Sequence, residues 1–371
     1  MPDNHSPEYK FPTWYRRLLL SVVSVLITLI AVEIGLRIGI GAVFPNRFFE
    51  PHEQFGHFHV PGRTGWQHTA EYNSYIVINS KGLRDRERPY AKPDGTFRIL
   101  MVGDSFVEGI QVDQDQTLPA QLEALLNRQS GTPIEVINAG VSRYATDNVL
   151  LFLESEGLRY QPDLVIYAFF PNDVVEIQEN NLFELVDGQP IQHRVSISLV
   201  DRARLFLYDY SYLYRFARGL SIRMQHESDT TLIRTELGKI HPTYRAELRP
   251  EEAYAWDLIA CLLERMVSIT TESGAKFVVV SLPEDFQSED RLWERVEQSD
   301  EPLLRDAPNR MLAKAVPEGI PYFDLLPDFR VAAQAQTLYY PMDHHFNPAG
   351  QALAAELIAS FLVAENLVPS S

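Results

Sequence analysis

Three kinds of hydrophobic spacing follow one another along the 371 residues. The first is an unbroken apolar run, LLLSVVSVLITLIAV over 18–32, continued by EIGLRIGIGAVF to Phe44. With that continuation it is long enough to cross a bilayer as a helix, which takes about 20 residues. The second covers 45–95, is rich in Pro, Gly, His and aromatic residues, and contains short alternating pieces such as SYIVINS; it predicts irregular β structure leading into the main domain. The third begins at Phe97, where wholly apolar stretches (97–102, 134–138, 164–169, 276–282 and 321–325) alternate with segments of helical period (117–128, 146–157, 251–273 and 348–364). Strands apolar on both faces belong to a parallel sheet covered on both sides, so an α/β fold is expected: a three-layer α/β/α sandwich around a mostly parallel five-stranded sheet, over 96–371. The pattern weakens between 174 and 250, where YDYSYLYRFARGL and many charges read as an insertion with short helices beside the sheet. Neither an internal repeat nor a low-complexity tract interrupts the chain.

Charge gives the apolar run a direction. Lys10, Arg16 and Arg17 precede it, which predicts a short cytoplasmic N-terminus at 1–17, a transmembrane anchor at 18–44, and everything after it on the periplasmic or extracellular side. Glu33 and Arg37 lie four apart on one helical face, where they can pair or reach the headgroups. The small residues at 39–42 would also suit a cleavage site, so a removed signal peptide competes with the retained anchor, as does a buried core helix. The formal net charge of −17 speaks against nucleic acid as a partner and against docking of the folded domain on anionic lipid. Cys261 is the only cysteine. It excludes an intramolecular disulfide and disfavours cysteine catalysis or a cysteine zinc site, and in AYAWDLIACLLERM it reads as a small buried apolar residue. His57, Phe58 and His59 have no ligand partner at useful spacing, so packing or surface exposure is expected there and no metal site.

In an open α/β sheet, reacting groups collect beyond the carboxyl ends of the strands. Gly103-Asp104-Ser105 follows the first predicted strand, Asn138-Ala139-Gly140 the second, and Pro171-Asn172-Asp173 the third; PMDHHFNPAG precedes the last helix. A serine hydroxyl becomes a useful nucleophile when a histidine takes its proton, and a carboxylate holds the imidazole in the right tautomer. Asp343 and His345 are two apart, so an extended segment projects them to the same side, with His344 turned away as a neighbour that packs or touches substrate. Asn347 as helix cap and Pro348 at the first helical position would pin that pair. Ser105 is thus the candidate nucleophile, His345 the base and Asp343 the acid. The N–H groups of Ser105 and Gly140 and the Asn172 amide are the candidate donors to a developing oxyanion. Gly103 permits the tight turn, and Gly140 a close backbone approach. Arg143 is a further candidate for substrate contact.

GDSFVEG, the glycine of INAG, the asparagine of PND and the histidine of DHHFNPAG resemble, in order, the four blocks of the SGNH (GDSL-type) hydrolases over about residues 97–365. INSKGLRDRE ahead of the first block is similar to a membrane-anchored bacterial branch of that superfamily. The resemblance implies an SGNH, flavodoxin-like fold, with Ser105 as nucleophile and first oxyanion donor, Gly140 and Asn172 as the others, and His345 as base. The chain departs from the pattern at Phe170, where a glycine is usual; at Met342, where the acid often stands, so that Asp343 follows the polysaccharide-acetylating relatives; and at Arg143, often glycine. Val107 breaks any Gly-x-Ser-x-Gly, so the nucleophile elbow of α/β-hydrolases is the wrong comparison.

The expectation is a single-pass, membrane-anchored serine esterase that needs no cofactor or metal. Its substrate would be an O-acyl, first of all O-acetyl, ester on a cell-envelope polysaccharide, with partners in an envelope-polysaccharide assembly. Open alternatives are a polysaccharide O-acetyltransferase using the same triad, a lipid or lysophospholipid esterase, and an inactive scaffold or binding subunit.

Overall fold

The computed structural model describes residues 12–40, 47–227, 241–296 and 302–369. Most of the expected cytoplasmic stretch 1–17, residues 41–44 of the expected anchor and residues 228–240 of the expected insertion lie outside the described residues. The chain forms two compact units, one of 1–45 with 199–229 and one of 46–198 with 230–371.

The larger unit is built on a five-stranded sheet. Strands β5 (Phe97–Gly103), β6 (Ile134–Gly140), β7 (Leu164–Phe169), β10 (Lys276–Ser281) and β11 (Tyr322–Asp324) stand in the order β11-β10-β7-β5-β6, with every pairing parallel. Successive residues of β5 alternate between two cores: Leu100 and Val102 pack on one face, Ile99 and Met101 on the other. That division is why these strands are apolar at every position. Helices α4 (Thr146–Ser155) and α8 (Pro250–Glu272) contribute to the first core, and α3 (Leu118–Gln129) and α9 (Pro348–Ala364) to the second. The sheet and these helices therefore agree with the expected α/β sandwich. β6 runs two residues beyond the expected strand, pairing Gly140 with Gly103.

Of the lead-in expected over 45–95, the described residues form two antiparallel hairpins: β1 (Phe49–His52) with β2 (Gly56–His59), and β3 (Thr64–His68) with β4 (Asn73–Val77). From residue 46 on they belong to the same compact unit as the sheet. In the segment that follows them, Arg84 is buried and donates to the carbonyls of Glu108, Gly109 and Val112. A buried guanidinium is tolerated only when hydrogen bonds replace its water, and here they tie this segment to the chain just past Ser105.

The insertion is divided. α5 (Asp173–Asn180) and the hairpin of β8 (Phe183–Val186) and β9 (Gln189–Gln192) belong to the larger unit. Helices α6 (Leu199–Tyr210) and α7 (Tyr212–Glu227) belong instead to the smaller one, with α1 (Thr13–Ile40). In that part the expected short helices belong to the unit that contains α1. α1 is long and apolar enough to cross a membrane or serve as a signal sequence, and most of its large apolar side chains are exposed.

Candidate active site

β5 ends in Gly103, and the Asp104 carboxylate accepts the Phe106 N–H at 2.9 Å to open a single helical turn, α2 (Ser105–Glu108). A β-carbon on Gly103 would lie 2.7 Å from the Ala168 carbonyl oxygen, and one on Gly140 only 2.2 Å from the Glu108 nitrogen. Both glycines are thus required by close approach: the end of β6 lies directly against the turn that carries Ser105.

From the far end of the chain, the loop before α9 brings the candidate base. The Asn347 carboxamide oxygen accepts from the N–H groups of Ala349 and Gly350 at 2.9 and 3.0 Å, capping α9 as its sequence predicts. Two residues earlier, His345 Nδ1 lies 2.7 Å from Asp343 Oδ1, and its Nε2 lies 2.7 Å from Ser105 Oγ. With Nδ1–H donating to the carboxylate, Nε2 is left to accept from the hydroxyl; the network sets the tautomer. Burial favours the neutral ring, but the hydrogen bond and charge of Asp343 outweigh it and raise the His345 pKa above its ordinary value. Burial likewise raises Asp343, and the His345 hydrogen bond overcomes that effect to leave the carboxyl below its usual range. Asp104, buried beside them, is pushed up to about 6 by desolvation.

The other sequence candidates lie around this relay. Asn172 follows β7 and begins α5, its side chain making no capping bond and its carboxamide oxygen buried without a partner. Ser105, Gly140 and Asn172 therefore follow or end three neighbouring strands at one edge of the sheet. The Gly140 N–H donates to Asn138 Oδ1 at 3.1 Å. His344 takes a left-handed backbone, φ 66°, and pairs with Asp285 at 2.6 Å, which raises its pKa. Arg143, also left-handed, is exposed and pairs with Glu179 at 3.2 Å. Phe170, in the place where a glycine is usual, stacks on Phe106 at 4.0 Å, and Phe106 lies 4.8 Å from the His345 ring.

Sequence reasoning missed the groups that hold Asp343. Tyr72 donates to Asp343 Oδ2 at 3.1 Å, and the Glu71 carboxylate accepts the Asp343 N–H at 2.8 Å and the Met342 N–H at 2.9 Å. Both come from the loop between β3 and β4, and no local pattern points from there to residue 343. His59 is buried, with Nδ1 2.9 Å from the Gly82 carbonyl and Nε2 2.9 Å from Glu108, while His57 Nε2 meets the Ser142 carbonyl at 2.8 Å. These are packing roles, as expected for that pair. Cys261 differs from expectation: it is only partly buried, because α8 turns its position outward from the core.

A family model described as "GDSL-like Lipase/Acylhydrolase family" matches residues 101–353, a span containing every residue of this cluster except Glu71 and Tyr72. The search of curated proteins returned no match. Solved structures similar to this chain include an α/β hydrolase enzyme from the metagenome of Lake Arreo, Spain, at 16% identity, covering 76% of this chain and 99% of that one, TM-score 0.40. An acetyl xylan esterase matches at 12% identity, covering 72% and 100%, TM-score 0.41. A catalytic mutant of an acetylxylan esterase from Geobacillus stearothermophilus matches at 13% identity, covering 72% and 93%, TM-score 0.38.

Proposed function

The chain belongs to the GDSL-like lipase/acylhydrolase family, and from that premise we propose that it is a membrane-anchored serine esterase that removes a small O-acyl group, acetyl in the first instance, from a cell-envelope polysaccharide. The observation that carries the reading is the unbroken relay from Ser105 Oγ to His345 Nε2 at 2.7 Å and from Nδ1 to Asp343 Oδ1 at 2.7 Å.

In this mechanism the Ser105 oxygen attacks the ester carbonyl while His345 takes its proton, and Asp343 stabilises the imidazolium that forms. The N–H groups of Ser105 and Gly140 and the Asn172 amide receive the negative oxygen; for Gly140 the Asn138 contact has to be exchanged for that oxygen. Each such donor is typically worth about 3 kcal/mol. His345 then returns its proton to the departing sugar hydroxyl, and a water activated by the same ring clears the acyl-enzyme. No step calls for a metal or cofactor.

Two features support a polymeric substrate at an extracytoplasmic site. Ser105, His345 and Asp343 are only partly buried, and the neighbouring Arg143, Met342 and His344 are exposed, so a chain of sugars can lie across the site without being threaded. Within α1 the apolar run follows Arg16 and Arg17, which favours a cytoplasmic N-terminus. Retention of α1 is favoured over cleavage because Glu33 accepts the N–H groups of Tyr212 and Leu213, which a removed leader would leave without that partner.

The test is labelling of the detergent-solubilised protein with a fluorophosphonate. The unmodified protein is expected to react, and Ser105→Ala and His345→Ala to stay unlabelled. Equal labelling of all three overturns the mechanism. Release of acetate from an acetylated glycan, measured against transfer to an added acceptor glycan, then separates hydrolase from transferase.

A further inference from the structure

Helix α6 is turned inside out for a water-soluble surface. Leu199, Val200, Phe206, Leu207 and Tyr210 fall on one side of it and are exposed, Leu199 to 84%, Phe206 to 61% and Tyr210 to 64%. Asp201, Leu205, Tyr208 and Asp209, on the other side, are the half-buried ones. A contiguous exposed apolar stripe marks a binding surface.

The place of this helix within its own unit indicates what covers the stripe. Glu33 of α1 accepts from the Tyr212 and Leu213 N–H groups at 2.8 and 2.9 Å and from the Ser211 hydroxyl at 3.1 Å, so an acid of the apolar helix caps the start of α7. Arg37 bonds Glu33 at 2.9 Å and donates to the Tyr210 carbonyl at the end of α6. Arg215 closes the joint by donating to the carbonyls of Tyr208 and Asp209. Arg17 and Arg37 are twenty positions apart on α1, a rise of about 30 Å, which is the thickness of the hydrocarbon core. A span that puts Arg17 at one headgroup layer therefore puts Arg37, and the α6–α7 joint it holds, at the other.

We propose that α6 is a second membrane-contacting element: it lies in the outer headgroup layer with its 199/206/210 stripe seated among the acyl chains. Arg204 marks the flank of α6 away from that stripe, pairing there with Asp201. The occupant of the stripe is the lipid surface, reached by continuity with the anchor. This inference rests on the reading of α1 as a retained membrane span. Its consequence is that the stretch from 199 to 227, inserted between strands of the hydrolase sheet, ties that domain to the bilayer at a second point in the chain.

The experiment uses the full chain, with Cys261→Ser to clear the native thiol, reconstituted in phosphatidylethanolamine–phosphatidylglycerol vesicles. An environment-sensitive fluorophore is attached at Phe206→Cys, Tyr210→Cys, Arg204→Cys or, within α1, Leu26→Cys, and the vesicles are prepared with and without brominated lipids. Retained ester hydrolysis identifies correctly folded samples. The expected result is strong quenching at 206 and 210 by lipids brominated near the headgroup, several-fold weaker quenching at 204, and quenching at 26 by lipids brominated deep in the chain. Quenching at 26 with none at 206 and 210 overturns the interfacial helix and leaves the anchor standing. No quenching at 26 overturns both. Blue-shifted but unquenched labels at 206 and 210 mean that protein, and not lipid, covers the stripe, and the proposal falls.

Discussion

Two histidines of the larger unit each lie against a carboxylate, yet only one is placed to act as a base. At the surface, His345 sets one nitrogen on Asp343 and the other on a hydroxyl, Ser105 Oγ, so the neutral ring satisfies both partners and keeps its Nε2 lone pair for a proton. In the interior, His59 sets its nitrogens on the Gly82 carbonyl and the Glu108 carboxylate. Both ring nitrogens are thus engaged by buried partners, and neither meets a hydroxyl that it could deprotonate. A histidine–carboxylate pair is therefore the proton carrier of the proposed mechanism in one place and a structural tie in the other. The partner of the second nitrogen and access to solvent decide which; the presence of an acid does not.

The comparison can be broken most forcefully at the relay. Ser105→Ala or His345→Ala is expected to lower kcat for an acetyl ester on the order of a million-fold with the fold intact, measured by steady-state kinetics beside circular dichroism. Asp343→Asn should cost on the order of ten-thousand-fold, because the carboxamide no longer selects the tautomer. His59→Ala moves the other observable. It strands Glu108 in a buried site, where the Ser142 hydroxyl and N–H remain its partners, and should remove about 3–5 kcal/mol of unfolding free energy in urea titration. An unchanged stability there would mean that the buried pair is no tie at all.

A finer measurement is the pH profile. The base must be neutral to accept the Ser105 proton, and Asp343 holds its pKa above the ordinary value. Activity should therefore fall as the pH drops through a point above the 6.5 of a free imidazole, and the limb should move to lower pH in Asp343→Asn. The smallest effect sharpens the role of Tyr72 as a positioning residue. Tyr72→Phe deletes one hydrogen bond to Asp343, worth about 1 kcal/mol, so kcat should fall about five-fold with KM unchanged. Loss of expression instead of kcat would assign Tyr72 to folding alone.

Much of this was legible residue by residue. The five apolar stretches became the five parallel strands, Asn347 became the cap of α9, and the serine, glycine, asparagine and histidine blocks fell at one edge of the sheet. Each of those features is written locally: in the period of apolar positions, in a cap within three residues of its N–H, or in a glycine that a tight approach demands. The same local logic marked α1 as long and apolar enough to span a bilayer.

What stayed hidden depends on pairs far apart in the chain. Tyr72 meets Asp343 across 271 positions, Glu33 meets Ser211 across 178, and His59 meets Glu108 across 49. Periodicity reports which face of an element is apolar, but not what that face or a given carboxylate will find opposite it. For α6 the pattern alone gives no answer, since an amphipathic helix reads alike whether its apolar side points into a core or out of the protein. Only the folded chain, by bringing α7 onto Glu33 and Arg37, decided that this side points outward, because the orientation of a helix is fixed by long-range contacts that no short window of residues contains.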